Sequence, residues 1–370
     1  MGLNKIRLGD YIIRSTQNNR DLKYGVELIS GVTSQGVFAI PKGDPIDVNL
    51  KPYKIVNNGA FVYNPTRLDL GSIAYRTDGL CIVSHLYMVF YLTEEGKRII
   101  DPTWLYIYFR RNEFLREVTF RNFGSQRPEF NFEDMSDIII PLPDLPTQQK
   151  YVDIYNAMVA NQQAYERGLE DLKVALDAQI DKIKHSAPRM RIGNILDEVD
   201  NRNSEGVIKN VQGINISKQF MPSVADINGV DLRKYKVVQK GQLAFSGMQT
   251  GRDECIRIAL HDTEQPIIIS PAYTVFEVKE ETVIPEYVMI WFSRNESDRR
   301  GWFMSDSSIR SNLDLERFYE IQIPIPDKKL QEAVVTFYEV YITRKKINEQ
   351  LKTQIKNICP ILIRGSLEER

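Results

Sequence analysis

Few residue patterns in this sequence could perform chemistry, and the segment Tyr63–Arg67, "YNPTR", is the first to consider. An Asn-Pro pair of this kind opens a methyltransferase motif in which the Asn amide accepts from the amino group of a flipped base. Thr66 and Arg67 stand where that motif needs a second proline and an aromatic ring. We therefore interpret the segment as a turn that ends a strand.

The segment Phe245–Asp253, "FSGMQTGRD", contains two glycines at the wrong spacing for a dinucleotide or S-adenosylmethionine loop. It predicts the tip of a hairpin. No GxxxxGK[ST], GxSxG or HExxH pattern occurs in the sequence. We therefore predict a protein that binds its target without transforming it and that needs no cofactor.

The cysteines Cys81, Cys255 and Cys359 lie far apart in the sequence. Cys81 and His85 are close enough to form half of a zinc site, but no second close pair completes it. We predict no metal and no disulfide, with the cysteines acting as small buried hydrophobic residues.

Composition leaves the choice of partner open. The 370 residues suggest two or three domains, and 42% hydrophobic with 26% charged residues is typical of a globular protein. No apolar run reaches the roughly 18 residues of a membrane span. The N-terminus "MGLNKIRLGD" lacks a signal core, so we expect a cytoplasmic location and no membrane partner. The net charge of −1 does not exclude DNA, since binding depends on where charges lie.

The sequence contains an internal duplication. "IIIPLPDLPTQQKYV" (138–152) returns as "IQIPIPDKKLQEAVV" (321–335), with Pro141 matched to Pro324 (324 − 141 = 183). Five further blocks recur in the same order at similar offsets, which indicates a duplicated module of domain size. These blocks are "IRLGDYI"/"MRIGNIL", "YKIVNNGAFVY"/"YKVVQKGQLAF", "IVSHLYMVF"/"IISPAYTVF", "PTWLYIYFRRN"/"PEYVMIWFSRN" and "GSQR"/"SSIR".

Each copy has the same order of elements. Short β-branched and aromatic runs come first, followed by an apolar helix, over Trp104–Phe114 in one copy and Tyr287–Ser293 in the other. We predict that Trp104 and Tyr287 lie in the core. A last strand then ends in the double-proline phrase, where proline stops the strand before a long helix.

A heptad pattern from Tyr151 to Ile183 predicts a coiled-coil helix over 147–185, about 58 Å long at ~1.5 Å per residue. A second helix is predicted from Lys328 to about Ile358. The two helices would pair antiparallel, or a partner protein would share the seam. We expect Gln162 and Asn348 to be partly exposed in this seam rather than to fix its register. The end, "LIRGSLEER", is either the tail of this helix or an added segment.

The predicted fold class is α+β, with two tandem β-rich recognition domains related by a pseudo-two-fold axis and two long antiparallel coiled-coil helices. The expected boundaries are 1–146 and 187–327 for the recognition domains. The helical spacers are expected over 147–186 and over 328–370, the latter including the tail.

In this arrangement the sequence resembles the specificity subunit of a type I restriction–modification system. The residues that carry the resemblance are "RLGD" (7–10), "RIG" (191–193), "GSQR" (124–127), "IPLPDLPTQQ" (140–149) and "IPIPDKKLQE" (323–332). The resemblance implies that each domain reads half of a bipartite double-stranded DNA target. It also implies that the helices set the spacing and dock two methyltransferase subunits, alongside motor and endonuclease subunits.

Base reading needs Arg, Lys, Asn or Gln at loop tips, and phosphate binding uses Arg, Lys, Ser or Thr. We interpret Arg127 and Arg310, which recur, as phosphate contacts. The candidate DNA-contact residues are Thr33, Gln35, Asn64, Arg67, Arg76, Gln126 and Arg127 in the first copy, and Lys218, Gln219, Gln249, Arg252, Arg310 and Asn312 in the second.

Two other classes of function stay open. The chain is either part of a stand-alone modification or restriction system, or a coiled-coil scaffold that binds proteins alone. Methyl transfer without partners would indicate the first class. DNA affinity that does not fall with salt would indicate the second.

Overall fold

A computed structural model describes residues 4–41, 48–122, 129–223, 229–279, 281–306, 308 and 311–369. The chain divides into two compact units. Unit 1 consists of the residues up to Glu166 together with those from Ile347 onward, and unit 2 consists of Arg167–Lys346. The C-terminal segment therefore completes the unit that the N-terminal half begins.

The elements of unit 1 are short strands and helices that lead into one long helix. Short 3₁₀ turns lie at Leu8–Asp10 and Val26–Leu28. The strands are β1 (Asn4–Arg7), β2 (Ile12–Arg14), β3 (Gly31–Val32), β4 (Phe38–Ala39), β5 (Lys54–Val56), β6 (Phe61–Tyr63), β7 (Ile73–Tyr75), β8 (Cys81–Val83), β9 (Met88–Leu92) and β10 (Ile139–Leu142). The helices are α1 (Glu94–Lys97), α2 (Pro102–Phe109), α3 (Asn112–Arg121), α4 (Phe132–Ser136) and α5 (Leu145–Ser186), whose second half belongs to unit 2.

Unit 2 repeats this order of elements. A 3₁₀ turn lies at Leu232–Lys234. The strands are β11 (Arg189–Arg191), β12 (Leu196–Val199), β13 (Val211–Ile214), β14 (Phe220–Pro222), β15 (Lys236–Val238), β16 (Leu243–Ser246), β17 (Arg257–Leu260), β18 (Ile267–Ile269), β19 (Thr274–Val278) and β20 (Gln322–Pro324). The helices are α6 (Ile192–Ile195), α7 (Thr250–Asp253), α8 (Pro285–Phe292), α9 (Asn295–Met304), α10 (Leu315–Glu320) and α11 (Lys328–Glu368).

Strand pairing repeats as well. Unit 1 has an antiparallel sheet of order β2-β9-β6-β7, and unit 2 has one of order β12-β19-β16-β17. The strand that ends in the double-proline phrase pairs antiparallel with the first strand of its copy, β10 with β1 and β20 with β11. Smaller sheets, β3-β4 and β5-β8 in unit 1 and β14-β13-β18-β15 in unit 2, complete each β-rich part, hereafter the head.

Aromatic side chains fill both cores. In unit 1, Phe61 stacks on Phe90 with ring centroids 5.1 Å apart, and Trp104 is fully buried. In unit 2, Phe245 stacks on Phe318 at 4.1 Å. Burying each such ring contributes roughly 1.5–3 kcal/mol. Trp104 and Tyr287 are buried, so the prediction that both lie in the core is confirmed. The three cysteines are buried, as predicted.

The helix expected over Trp104–Phe114 is instead two helices, α2 and α3. Between them Arg111 has an extended backbone (φ −75°, ψ 146°). Its guanidinium lies over the Tyr108 ring, 3.7 Å from the centroid. This contact stabilises a corner that an apolar pattern alone does not reveal.

The double-proline phrase joins a head to a long helix through one buried glutamine. The side-chain oxygen of Gln148 accepts from the Asp101 N–H at 2.8 Å, where α2 begins. Its side-chain nitrogen donates to the carbonyls of Ile99 and Pro143, both at 2.8 Å. Gln148 therefore connects the strand exit, the head and the first turn of α5.

Gln331 makes the same connection in unit 2. Its oxygen accepts from the Ile284 N–H at 3.2 Å, and its nitrogen donates to the carbonyls of Thr282 (2.8 Å) and Pro326 (2.9 Å). Both glutamines are fully buried. The recurring phrase Pro-apolar-Pro-Asp followed by Gln is thus a structural joint between head and helix.

The long helices run antiparallel within each unit. In unit 1, Tyr151 packs against Gly365 and Gln162 lies beside Asn348. In unit 2, Gly168 lies beside Arg344. Residue numbers therefore rise along α5 as they fall along α11, as predicted for an antiparallel pair.

Helix α11 continues past the predicted end at Ile358, through Pro360 to Glu368. Burial of Cys359, Leu362 and Ile363 in the core of unit 1 offsets the cost of a proline inside the helix. The Trp104 indole N–H also donates to the Ser366 hydroxyl at 3.0 Å. The segment "LIRGSLEER", as far as Glu368, is therefore the end of this helix.

The expectation that Gln162 and Asn348 are partly exposed is wrong. They are 7% and 2% exposed, and the Gln162 side-chain nitrogen donates to Asn348 Oδ1 at 3.0 Å. Glu166 accepts from Gln162 at 2.9 Å and from Lys352 at 2.6 Å. A buried seam amide needs a partner, and each of these two provides it for the other.

Candidate functional site

In each head the structure brings two loops together beside the candidate contact residues. In unit 2 these are the connection from β16 to β17 and the segment before α10. The Leu313 N–H donates to the Gly247 carbonyl at 2.8 Å, and the Gly251 N–H donates to the Ser311 carbonyl at 2.8 Å. We call residues 247–254, together with 305, 306, 308 and 311–313, the unit 2 loop pair.

Two glycines permit this close approach. A methyl group on Gly247 would collide with the Leu313 carbonyl oxygen, and one on Gly251 would collide with the Ser311 hydroxyl. The spacing of these glycines, which fits no nucleotide loop, is thus explained by packing. The hairpin predicted for this segment is confirmed, because β16 and β17 pair antiparallel.

Gln249 and Asn312, both predicted contact residues, lie next to each other in the loop pair. The Gln249 N–H donates to Asn312 Oδ1 at 3.0 Å. Gln249 has a left-handed backbone (φ 59°), which is uncommon for a residue other than glycine. The Asn312 side-chain oxygen is therefore engaged in holding the loop.

Asp306 accepts three hydrogen bonds within the segment of the loop pair that precedes α10. Its carboxylate accepts from the Ser308 hydroxyl (2.5 Å), the Ser308 N–H (3.0 Å) and the Asn312 N–H (3.1 Å). The hydrogen bond from the Ser308 side chain is the largest cause that lowers the pKa of Asp306, and the backbone N–H groups add to it. Arg310, another predicted contact residue, lies outside the described residues.

Arg252 is the most accessible predicted contact of the unit 2 loop pair. Its side chain is 65% exposed, and its Nε lies 3.8 Å from Asp253, a long and weak ion pair. Asp253 instead forms a close ion pair with Arg257. The guanidinium of Arg252 is therefore available to a ligand.

Unit 1 has an equivalent pair of segments, 64–72 between β6 and β7 and 129–131 before α4, which we call the unit 1 loop pair. The Phe130 N–H donates to the Pro65 carbonyl at 3.0 Å, as Leu313 does to Gly247 in unit 2. Asn64 Oδ1 accepts from the N–H (3.1 Å) and hydroxyl (2.9 Å) of Thr66, a local turn that confirms the interpretation of "YNPTR". Arg67 is exposed at this turn. Gln126 and Arg127 lie outside the described residues.

The hairpin that carries Thr33 and Gln35 is held by Arg110, whose importance the sequence did not reveal. Thr33 Oγ1 donates to the Val37 carbonyl at 3.2 Å within the hairpin, and Gln35 is exposed. The buried guanidinium of Arg110 donates to the carbonyls of Gly71 (2.5 Å) and Ser34 (3.3 Å). Arg110 thus fixes the hairpin against the unit 1 loop pair.

Arg76 is half-buried and lies over the Phe38 ring, 5.1 Å from its centroid. Its Nε is buried without a hydrogen-bond partner among the described residues. Burial against an aromatic ring fixes the guanidinium at the base of the same hairpin.

Lys218 and Gln219 differ in their availability. The Lys218 ammonium forms a close ion pair with Asp298 and donates to the Phe292 carbonyl at 2.7 Å. Its side chain is buried, so it serves the packing of unit 2 in this structure. Gln219 is exposed, and its backbone N–H donates to Asn215 Oδ1 at 3.0 Å.

The described ranges contain no group of three or more His, Cys, Asp or Glu side chains arranged to hold a metal ion. In the same ranges, no helix has the length and hydropathy that crossing a membrane requires.

Residues 9–172 match the family described as the type I restriction modification DNA specificity domain. The S subunit of a type I restriction–modification system from M. genitalium has a similar structure, with a TM-score of 0.58 and 12% identity over 100% of this chain and 97% of that chain. No curated protein matches the chain in sequence.

A second similar structure comes from work on complex assembly and conformational transition of the type I R-M system. Its TM-score is 0.52, with 13% identity over 99% of this chain and 97% of that chain. At these identities the likeness shows the fold. It confirms the predicted α+β class with tandem β-rich heads and long antiparallel helices.

Proposed function

We propose that the chain is the DNA-recognition subunit of a type I complex, because residues 9–172 match the family of type I restriction modification DNA specificity domains. In this proposal the head of each unit reads one half of a divided double-stranded target. The chain binds DNA and carries out no catalysis of its own.

The observation that carries the proposal is the repetition of the loop pair. Both heads hold two loops together by a backbone hydrogen bond at the same place, Phe130 to Pro65 and Leu313 to Gly247. Each loop pair includes an exposed arginine, Arg67 in unit 1 and Arg252 in unit 2. A shared framework with unlike loop residues suits two readers of unlike half-sites.

The long helices would set the spacing of the two half-sites. Helix α5 is continuous over 42 residues and contributes to both units. We propose recognition domains at 1–146 and 187–327, with helical spacers at 147–186 and 328–370. The buried joints at Gln148 and Gln331 support this role, because they limit rotation of each head on its helix.

The partners would divide the remaining chemistry among them. Two methyltransferase subunits would dock on the helices and supply the methyl-donor site. Motor and endonuclease subunits would supply translocation and cleavage.

Comparison of DNA methylation in cells with and without this gene tests the proposal. Loss of methylation at one bipartite sequence, with an unread gap between its halves, is the expected result. Methylation that is unchanged everywhere, in cells that produce the methyltransferase partner, would remove the proposal.

A further inference from the structure

The last turns of α3 and α9 each expose a phenylalanine. Phe120 is 81% exposed and Phe303 is 82% exposed. They are 183 residues apart (303 − 120 = 183), the same offset as Pro141 and Pro324, so they occupy equivalent positions in the two copies. In unit 2, Trp302 beside Phe303 is also 50% exposed. We call Trp302 and Phe303 the aromatic pair.

The aromatic pair belongs to the same region of unit 2 as the loop pair. Helix α9 packs on α7, and Gly301 lies so close to Ile256 and Thr250 that a methyl group there would collide with Ile256. Ser305, three residues after Trp302, lies against Gly251. The exposed rings and Arg252 are therefore carried by elements that pack on each other.

The charges around the aromatic pair are mainly positive. Arg299 and Arg300 are exposed, and neither forms an ion pair with a described residue. Of the acidic residues on α9, Glu296 is bound by Lys184 at 2.7 Å and by Arg294 at 3.1 Å. The other, Asp298, is bound by Lys218.

Two carboxylates of this region have no ion pair among the described residues. Glu254 is exposed, and Asp306 is half-buried and accepts from Ser308 and Asn312. With Arg252, Arg299 and Arg300 available, the local balance is positive although the whole chain carries −1. Exposed aromatic rings surrounded by guanidinium groups fit a nucleic acid, since the rings meet bases and the cations meet phosphates.

We propose that Phe303, supported by Trp302, enters a DNA groove and stacks against the base pairs next to the contacts of Arg252. This inference rests on the proposed function and deepens it. Apolar side chains inserted at a base step partly unstack it, and the bent duplex then covers more protein surface. Phe120 has the same role in the other half-site.

The test uses the chain assembled with its methyltransferase subunits and a duplex that carries the mapped target, with 2-aminopurine placed near the half-site. Unstacking raises the fluorescence of this base. Phe303→Ala is expected to remove most of the fluorescence rise and to raise the Kd about tenfold. Phe303→Leu keeps an apolar wedge and should retain most of the fluorescence rise and most of the affinity.

Val207→Ala, at an exposed position of the unit 2 head between β12 and β13, is the matched control for removal of an exposed apolar side chain and should leave DNA binding unchanged. Equal affinity and fluorescence for the wild type and Phe303→Ala would overturn the inference while leaving the proposed function intact. The inference would also be overturned if Phe303→Ala weakened assembly with the methyltransferase subunits while the assembled complex bound DNA normally, because the ring would then dock a protein. A wild-type complex that does not bind the target would refute the proposed function itself.

Discussion

Buried glutamines connect each head to its helix, and their removal tests the role of the double-proline phrase. Gln148→Leu would leave the Asp101 N–H and the Ile99 and Pro143 carbonyls without their partner. Each buried unsatisfied group costs about 1–3 kcal/mol, so we expect a loss of roughly 3 kcal/mol or more in the free energy of unfolding. Urea denaturation measures it, and Gln331→Leu should behave alike.

The neighbouring Gln149 is exposed and bonds only Asp153 among the described residues, so Gln149→Leu is the matched control. It should change the unfolding free energy by about 0.5 kcal/mol or less. Equal midpoints for the Gln148 and Gln149 variants would contradict the role of Gln148 as a joint.

Single arginines should differ in what they contribute to DNA binding. We expect Arg252→Ala to relax the choice of base in one half-site, with about 1–3 kcal/mol of discrimination lost there, because its guanidinium is exposed on the loop pair. Arg127→Ala should instead weaken binding to all sequences, as loss of a phosphate contact would. Affinities for duplexes with single base-pair changes distinguish the two.

Arg233→Ala serves as the control in unit 2, since Arg233 is exposed and paired with Asp231 at 2.9 Å. Equal losses on every duplex for Arg252→Ala and Arg127→Ala would show that neither reads a base.

At the scale of elements, the polar pair inside the helical seam of unit 1 should be strongly coupled. Asn348→Leu alone deprives the buried Gln162 side-chain nitrogen of one of its two acceptors, leaving it Glu166, and should destabilise unit 1 by about 1 kcal/mol. Gln162→Leu with Asn348→Leu removes both amides and should recover part of this loss. A double-mutant cycle from urea unfolding gives the coupling energy.

Gln163 is exposed, and Gln163→Leu should be nearly neutral in the same assay. Additive effects at positions 162 and 348 would mean that the pair does not act as a unit.

The hydrogen bonds that Glu166 accepts from Lys352 and Gln162 predict that the stability of the fold depends on pH. The hydrogen bond from Lys352 is the largest cause that lowers the pKa of Glu166 below its ordinary value of 4.5, and the bond from Gln162 comes next. A lowered folded-state pKa means that Glu166 stabilises the fold above about pH 4.5 and that this contribution is lost as the pH falls further. The stability difference between wild type and Glu166→Gln should therefore shrink in acid.

Thermal unfolding of both proteins across this pH range measures the difference. Glu170→Gln, at an exposed position of α5, controls for general loss of a negative charge. If the stability difference between wild type and Glu166→Gln grew as the pH fell, the lowered pKa assigned to Glu166 would be wrong.

At the scale of the whole molecule, a chain of net charge −1 can bind DNA only through a local concentration of positive charge. The affinity of the assembled complex for its target should fall steeply with salt, with a slope set by the number of phosphate contacts. Filter binding or fluorescence anisotropy at several salt concentrations measures this slope. Affinity that does not change with salt would favour the protein-binding scaffold.

Local pattern alone determined a large part of this protein. The offset of 183 residues revealed the duplicated module, and the heptad seam from Tyr151 to Ile183 predicted the long helix. Apolar runs placed Trp104 and Tyr287 in the core. These features follow from residues close in sequence, because periodicity and turn chemistry act over a few residues.

Tertiary structure decided which polar groups are buried and what completes each unit. Lys218 looked like an exposed loop residue, yet it pairs with Asp298, 80 positions further along the chain. Gln162 and Asn348 meet across 186 positions, and α11 passes Pro360 because the core of unit 1 receives its end. Such contacts form only when distant segments meet. The burial that selects them is a property of the folded chain and leaves no local pattern in the sequence.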